Sequence, residues 1–204
     1  TGRGTLTLPG TDLFGGTLTQ TRVLVDAFVE AGRVRNRREH LTTEARPVEG
    51  GVTTSASLTT TVFDPAGRPT VATEELLSQA TTSYDGTALT LAAPVTTRSQ
   101  FAGLPKAATG YARDGWGLVG VTVGGPTTLT GRDAFGGRLT QIRRPLDIDL
   151  AGGRITRRIE EATVTAAPVE GGASRTVTRS WTTFDPQGRP TRTEEQVWEQ
   201  TSTS

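Results

Sequence analysis

The chain has 204 residues, enough for one large β domain or two small ones with a genuine core. Its 22 basic and 21 acidic residues leave a formal net charge of +1, which argues against a nucleic-acid binder, since such domains are strongly basic. There is no Cys, which excludes disulfides, thiolate nucleophiles and Cys-type zinc sites.

From Gly4 onward, Thr- and Val-rich runs alternate with turn signals. Thr is about one residue in five, which suits strand surfaces where a β-branched polar side chain packs and still bonds water. The first turn signal is Asp12-Leu13-Phe14-Gly15-Gly16. The next, Ala31-Gly32, reads as a two-residue hairpin turn with Glu30 facing Arg33. Continuing that register sets Asp26 opposite Arg37, Leu24 opposite Glu39 and Arg22 opposite Leu41. Glu49-Gly50-Gly51 marks a third turn and Asp64-Pro65-Ala66-Gly67 a fourth. In the fourth, Asp caps, Pro pre-sets φ and Gly accepts the left-handed conformation of a type I turn with a bulge. No run joins helical periodicity to caps, Glu74 to Gln79 coming nearest. After Asp85-Gly86, Thr87 to Thr97 and Gly117 to Val123 read as two strands, parted by a Gly- and aromatic-rich loop.

From Gly125 the opening unit returns. Asp133 to Gln141 repeats Asp12 to Gln20, Pro168 to Gly172 repeats Pro47 to Gly51, and Phe184 to Thr191 repeats Phe63 to Thr70. All share one offset of roughly 121 residues without a gap, and roughly 36 of about 80 aligned positions are identical, so the unit is duplicated. The expected fold is all-β: two duplicated antiparallel β-meander units of about five strands, residues 4–83 and 125–204, joined by a unique two-strand and loop segment, 84–124. A sandwich, an open curved sheet and a barrel all remain open, as does one continuous domain. The second unit stops where the first enters the unique segment. Either the native protein continues beyond Ser204, or the middle strands serve both units in one sheet. The strand near Glu194 to Thr203 is therefore expected to pair with the middle strands or with a neighbouring molecule, unless Arg192, Glu194 and Glu195 blunt it.

Period-two alternation puts Gln20, Arg22, Asp26, Arg37 and Glu39 on one face, and Gln141, Arg143, Asp147, Arg158 and Glu160 on the equivalent face of the second unit, with Asp147 opposite Arg158. Val23, Val25, Ala27 and Val29, with Leu146, Ile148 and Leu150, take the other face as core. The plain reading is a solvated charge ladder, each pair worth roughly 0.2–1 kcal/mol. The sharper reading is a twice-repeated binding face for a carboxylated or hydroxylated partner, with Arg as fork donor. Asp26 and Glu39 as a catalytic carboxylate pair are disfavoured, because a neighbouring Arg lowers a carboxylate's pKa and spoils a general acid.

Other chemistry is sparse. His40 is the only His, and Glu161 replaces it in the second unit. There is no nucleophile elbow, no metalloprotease helix motif and no phosphate loop. Asp147-Ile148-Asp149 offers two oxygens to calcium but has no EF-hand loop around it. No cofactor or metal site is expected. The Phe-Asp-Pro-x-Gly-Arg-Pro turns are similar to the Tyr-Asp-x-x-Gly-Arg turns of YD-repeat proteins, which build large β shells. That likeness spans about eight residues per unit, at a spacing far longer than that family's, and turn chemistry suffices to produce it, so no family is assigned.

Three functions are in view. The first is a non-catalytic structural or adhesive β protein, secreted or in a bacterial cell envelope; the absence of Met also fits a processed or trimmed chain. It would self-associate or accept a strand at its C-terminal edge. It carries no membrane helix, since no apolar run approaches about 18 residues. The second is a carrier enclosing an apolar or lipid ligand in a curved sheet, with Phe14, Phe28, Phe63, Phe101, Trp116, Phe135 and Phe184 as lining. The third is a carbohydrate-active enzyme using two carboxylates.

Overall fold

The computed structural model describes residues 4–11, 15–104 and 115–203, and every regular element in them is a strand. In the first unit these are β1 (Thr5–Thr11), β2 (Thr17–Glu30), β3 (Arg33–Arg46), β4 (Val52–Phe63) and β5 (Pro69–Thr82). The middle segment gives β6 (Ala88–Leu91), β7 (Val95–Gly103) and β8 (Trp116–Val123). The second unit gives β9 (Thr127–Arg132), β10 (Arg138–Ala151), β11 (Arg154–Ala167), β12 (Ala173–Phe184) and β13 (Pro190–Thr203). All thirteen strands belong to one antiparallel sheet. Its order is β1-β2-β3-β4-β5-β6-β9-β10-β11-β12-β13, with β7 on β5 and β8 on β7. β1 and β13 end the path without meeting, so the sheet is open.

The turns form where Gly and Asp direct them. Ala31 (φ 48) and Gly32 (φ 75) are both left-handed, as are Gly152 (φ 60) and Gly153 (φ 78), which matches the right-handed twist of the flanking strands. At the next tip the Gly67 N–H donates to the Asp64 carbonyl at 3.0 Å, and Gly188 to Asp185 at 3.0 Å. β2 to β5 are 14, 14, 12 and 14 residues long, and so are β10 to β13.

The middle segment holds three strands rather than the expected two. Pro94 has no N–H for a ladder, and the run from Thr87 to Thr97 breaks just before it. β6 then pairs with the upper part of β5 (Ala80 to Thr82) and with β9, so it joins the two units. β7 pairs with the lower part of β5 (Val71 to Leu76) and carries β8 away from the main path.

That two-strand branch folds back over the second unit. The Leu118 N–H donates to the Gly153 carbonyl at 2.8 Å. Only glycine fits the crossing, since a Cβ on Gly117 would stand 2.6 Å from Gly153 Cα. Trp116 pins the branch at its start: its indole N–H donates to the Pro69 carbonyl at 2.7 Å, and the Arg68 guanidinium lies 4.1 Å from its ring centroid.

Burial is thin. Among the described residues only Leu129 (3% exposed) and Val177 (4%) are buried apolar side chains, with Ser57 and Thr61 as buried polar ones. β1 and β13 are exposed at every position. The middle strands pair with β5 and β9, not with β13, so that alternative for the C-terminal strand is set aside.

Candidate functional site

The hairpin turn at Ala31-Gly32 falls where expected, with Glu30 opposite Arg33, Leu24 opposite Glu39 and Arg22 opposite Leu41. Between them the register differs. Asp26 lies opposite Arg38, not Arg37, and Asp147 opposite Ile159, not Arg158. Two β-bulges cause this: β2 carries an extra residue at Val25 and β3 one at Arg35. The second unit repeats both, at Leu146 and Thr156.

A one-residue slip moves side chains to the other face. Gln20, Arg22, Arg37 and Glu39 do share a face, and so do Gln141, Arg143, Arg158 and Glu160. Asp26 and Asp147 lie on the opposite face. Asp26 meets Arg38 at 3.3 Å, while Asp147 (3.8 Å) and Asp149 (2.6 Å) converge on Arg157. The expected core face is divided in the same way. Ala27 and Val29, like Ile148 and Leu150, join the Arg face beyond the bulge, whereas Val23 stays opposite. Val29 is 54% exposed, so these residues form no sealed core. His40 sits opposite Val23 and Leu58, on the face away from Glu39.

What the two units hold in common is an Arg–Glu pair along one strand. Arg37 meets Glu39 at 3.1 Å, and Arg158 meets Glu160 at 3.0 Å. Arg37 also lies over the Phe63 ring, 5.7 Å from its centroid. Arg22 and Arg143, one strand away, make no ion pair among the described residues. The titrations that stand out are at the hairpin tips instead. The backbone N–H of Arg68, with its guanidinium, holds the Asp64 carboxyl below the usual aspartate range. At Asp185, withdrawal from water works upward but is outweighed by the Arg189 N–H and guanidinium and the Gln187 N–H.

The same face differs between the units in what covers it. Over the first no described strand crosses, although Ser57 and Thr61 on that face are buried. Over the second, the β7–β8 branch folds across β9, β10 and β11 and leaves a trough of about 410 Å³. Its walls are mainly aliphatic, with Leu76, Val95, Val121, Leu129, Ile148 and Ile155 among them. Arg143, Arg158 and Glu160 stand along one side, and Glu74 of β5 faces in from another.

Among the described residues no aromatic side chain lines this trough. Phe28 (60% exposed) and Phe135 (91%) point into solvent, as do Tyr84 and Trp198. Phe63, Phe101, Trp116 and Phe184 are half-buried elsewhere on the sheet, and Phe14 lies outside the described residues. The described aromatics expected to line a carrier's cavity are therefore not gathered at this trough, whose described walls are mainly aliphatic. Glu74, Leu76, Val121 and Ile155 were not singled out from the sequence, because their convergence depends on the fold-back of β7 and β8.

Comparison with protein-family models, with curated proteins and with solved structures finds no match to this chain.

Proposed function

We propose that the chain is a non-catalytic structural or adhesive β module, secreted or in a bacterial cell envelope, that assembles by strand pairing at β13. The observation that carries this reading is the bareness of β13. All 14 of its residues are exposed, whereas β5, the same segment of the first unit, carries both β6 and β7 on its outer side. Outward backbone groups of a long unpaired edge are a template for another strand.

The other edge is a poorer template. The Ala92 N–H donates to the Thr128 carbonyl at 2.9 Å, which fixes Thr128 and Thr130 as the β9 residues whose backbone groups face β6. Pro9 stands at the place of Thr130 in the first unit and has no N–H to offer outward. Pairing of β13 with β13 of a second copy closes a two-fold dimer, where β13-to-β1 pairing would run on as a filament. Support for the non-catalytic part comes from Asp26, Glu39, Asp147 and Glu160, each of which is already engaged in an ion pair with an Arg.

The test is molecular mass in solution over a concentration series, with a Glu195→Pro variant. The Gly124 N–H to Thr96 carbonyl bond turns Thr97 toward β5, so Glu74 faces β7, and Glu195 is its outward-facing equivalent. Proline there removes an outer N–H and leaves the β12–β13 ladder whole. The expected result is a dimer that Glu195→Pro converts to monomer. A parent chain that stays monomeric at every concentration, with fast amide exchange along the outer side of β13, refutes the assembly.

A further inference from the structure

The trough under the β7–β8 branch is independent of the edge at β13, and its chemistry points to a small molecule. At about 410 Å³ it falls within the few hundred to roughly 1,000 Å³ of small-molecule sites. It has a blind end. Leu118 bonds Gly153 there, Gly117 packs on Gly153, and a Cβ on either glycine would press within 3 Å of the Leu104 side chain. Ile148 and Ile155 lie toward that end, one on each side of the Gly152-Gly153 turn, with Arg158, already bonded to Glu160, directly opposite Ile148. Arg143 lies farther up the strands, where it pairs with Thr127 across β9 and β10.

The charges there are unevenly committed. Arg158 and Glu160 are bonded to each other at 3.0 Å. Arg143 has no ion pair or side-chain hydrogen bond among the described residues, and neither has Glu74 on β5. An uncommitted guanidinium beside an aliphatic trough suits a carboxylate, which it binds through two parallel N–H donors. Glu74 sets a limit on that head group. A dianionic phosphate would be repelled by it, while a single negative charge nearer Arg143 is tolerated.

We propose that this trough binds a long-chain carboxylate, with the alkyl chain toward Ile148 and Ile155 and the carboxylate on Arg143. Arg143 recognises the head, and Glu74 restricts it to one negative charge. The first unit has the same Arg22, Arg37 and Glu39 face but no branch over it, so it makes no second site.

The test uses the full 204-residue chain. Dodecanoate, dodecanol and dodecylamine are titrated separately by calorimetry, the ionic probes below their micelle concentrations and the alcohol below its solubility limit. Dodecanoate should bind saturably at one site, more tightly than the alcohol. Arg143→Gln should weaken dodecanoate about tenfold or more and leave dodecanol unchanged, the loss of one charge-assisted pair. Glu74→Gln should act in the opposite sense, tightening dodecanoate by roughly twofold to fivefold. Both side chains are exposed, so both variants should fold. Val121→Trp, which fills the trough, should abolish binding of all three probes. Equal affinity for acid and alcohol with no effect of Arg143→Gln overturns the head-group assignment. Tightest binding of the amine overturns it in favour of Glu74. No saturable binding of dodecanoate overturns the site itself.

Discussion

Gly131 offers the sharpest test of how the two units are joined, because Gly10 of the first unit is a built-in control. Gly131 lies in mid β9, between Leu89 of β6 and Leu139 of β10. A Cβ there would stand 2.8 Å from the Ala88 carbonyl carbon and 3.0 Å from Leu89 Cα, where ordinary contact is 3.4–4 Å. These are backbone atoms of a paired strand, so no side chain can rotate out of the way. β6 must retreat by on the order of 1 Å, which carries inter-strand bonds of about 2.9 Å out of hydrogen-bond range. Overpacking costs about 1–3 kcal/mol, and each bond given up about 1 kcal/mol more, so Gly131→Ala should cost about 3 kcal/mol. At Gly10 nothing comes closer to such a Cβ than 3.9 Å, because no strand lies outside β1. Neither glycine has a left-handed backbone. Gly10→Ala should therefore be neutral or stabilising, by up to about 1 kcal/mol, through a stiffer unfolded chain. Urea midpoints should separate the two variants by on the order of 1 M, since slopes run about 1–3 kcal/mol per molar. Amide exchange should quicken in β6 and β9 of Gly131→Ala alone. Equal midpoints for the two variants would refute the β6–β9 seam.

Three further outcomes follow from the same structure. Leu129→Ala removes one of the two buried apolar side chains among the described residues and should cost about 2–3 kcal/mol, below the top of the range because the space left opens into the trough; a urea series against exposed Val169→Ala checks it. Ala31→Gly should stabilise by roughly 0.5–1 kcal/mol in thermal melts, because Ala31 holds φ 48 where the second unit uses Gly152. The double variant Asp64→Asn, Asp185→Asn should be less stable than the parent at neutral pH. Both folded-state pKa values lie below the ordinary 3.8, so the charge contribution is complete above that value and is lost as pH falls through the lower folded ones. The parent-variant difference in melting temperature should therefore close in strong acid. A difference that persists unchanged there contradicts the assignment.

The strands and turns were legible because their chemistry is local. Asp64-Pro65-Ala66-Gly67, Glu49-Gly50-Gly51 and Ala31-Gly32 each fix a tip from a few residues, and the duplication supplied every one of them twice. The bulges were not legible at Val25 and Arg35, which carry no Gly or Pro and look like ordinary strand residues. The second unit held a clue, since Pro145 in mid-strand borders the bulge at Leu146 and proline favours such sites. Missing it sent Asp26 and Asp147 to the wrong face while leaving Arg22, Arg37, Glu39 and their equivalents correctly grouped. Pro94 was a similar unused signal for the break between β6 and β7. The trough lay beyond local reading, because it needs Leu118 to find Gly153, a contact no spacing rule anticipates.

The shortness of β6 sets how the molecule should come apart. A sheet whose strands touch only their neighbours behaves as a one-dimensional array, in which each hairpin and each junction adds its own share of stability. β3 and β4 share a ladder running from Asn36 to Ala45, but β6 holds β5 through three residue pairs and β9 through four. Along the array this is a fault line. Pulled from its ends or warmed, the chain should fail there before it fails elsewhere, releasing two blocks that melt on their own terms. Among the described residues, the branch that crosses from β8 to Gly153 is then the clasp holding the blocks together, and a bound molecule beneath it would tighten that clasp.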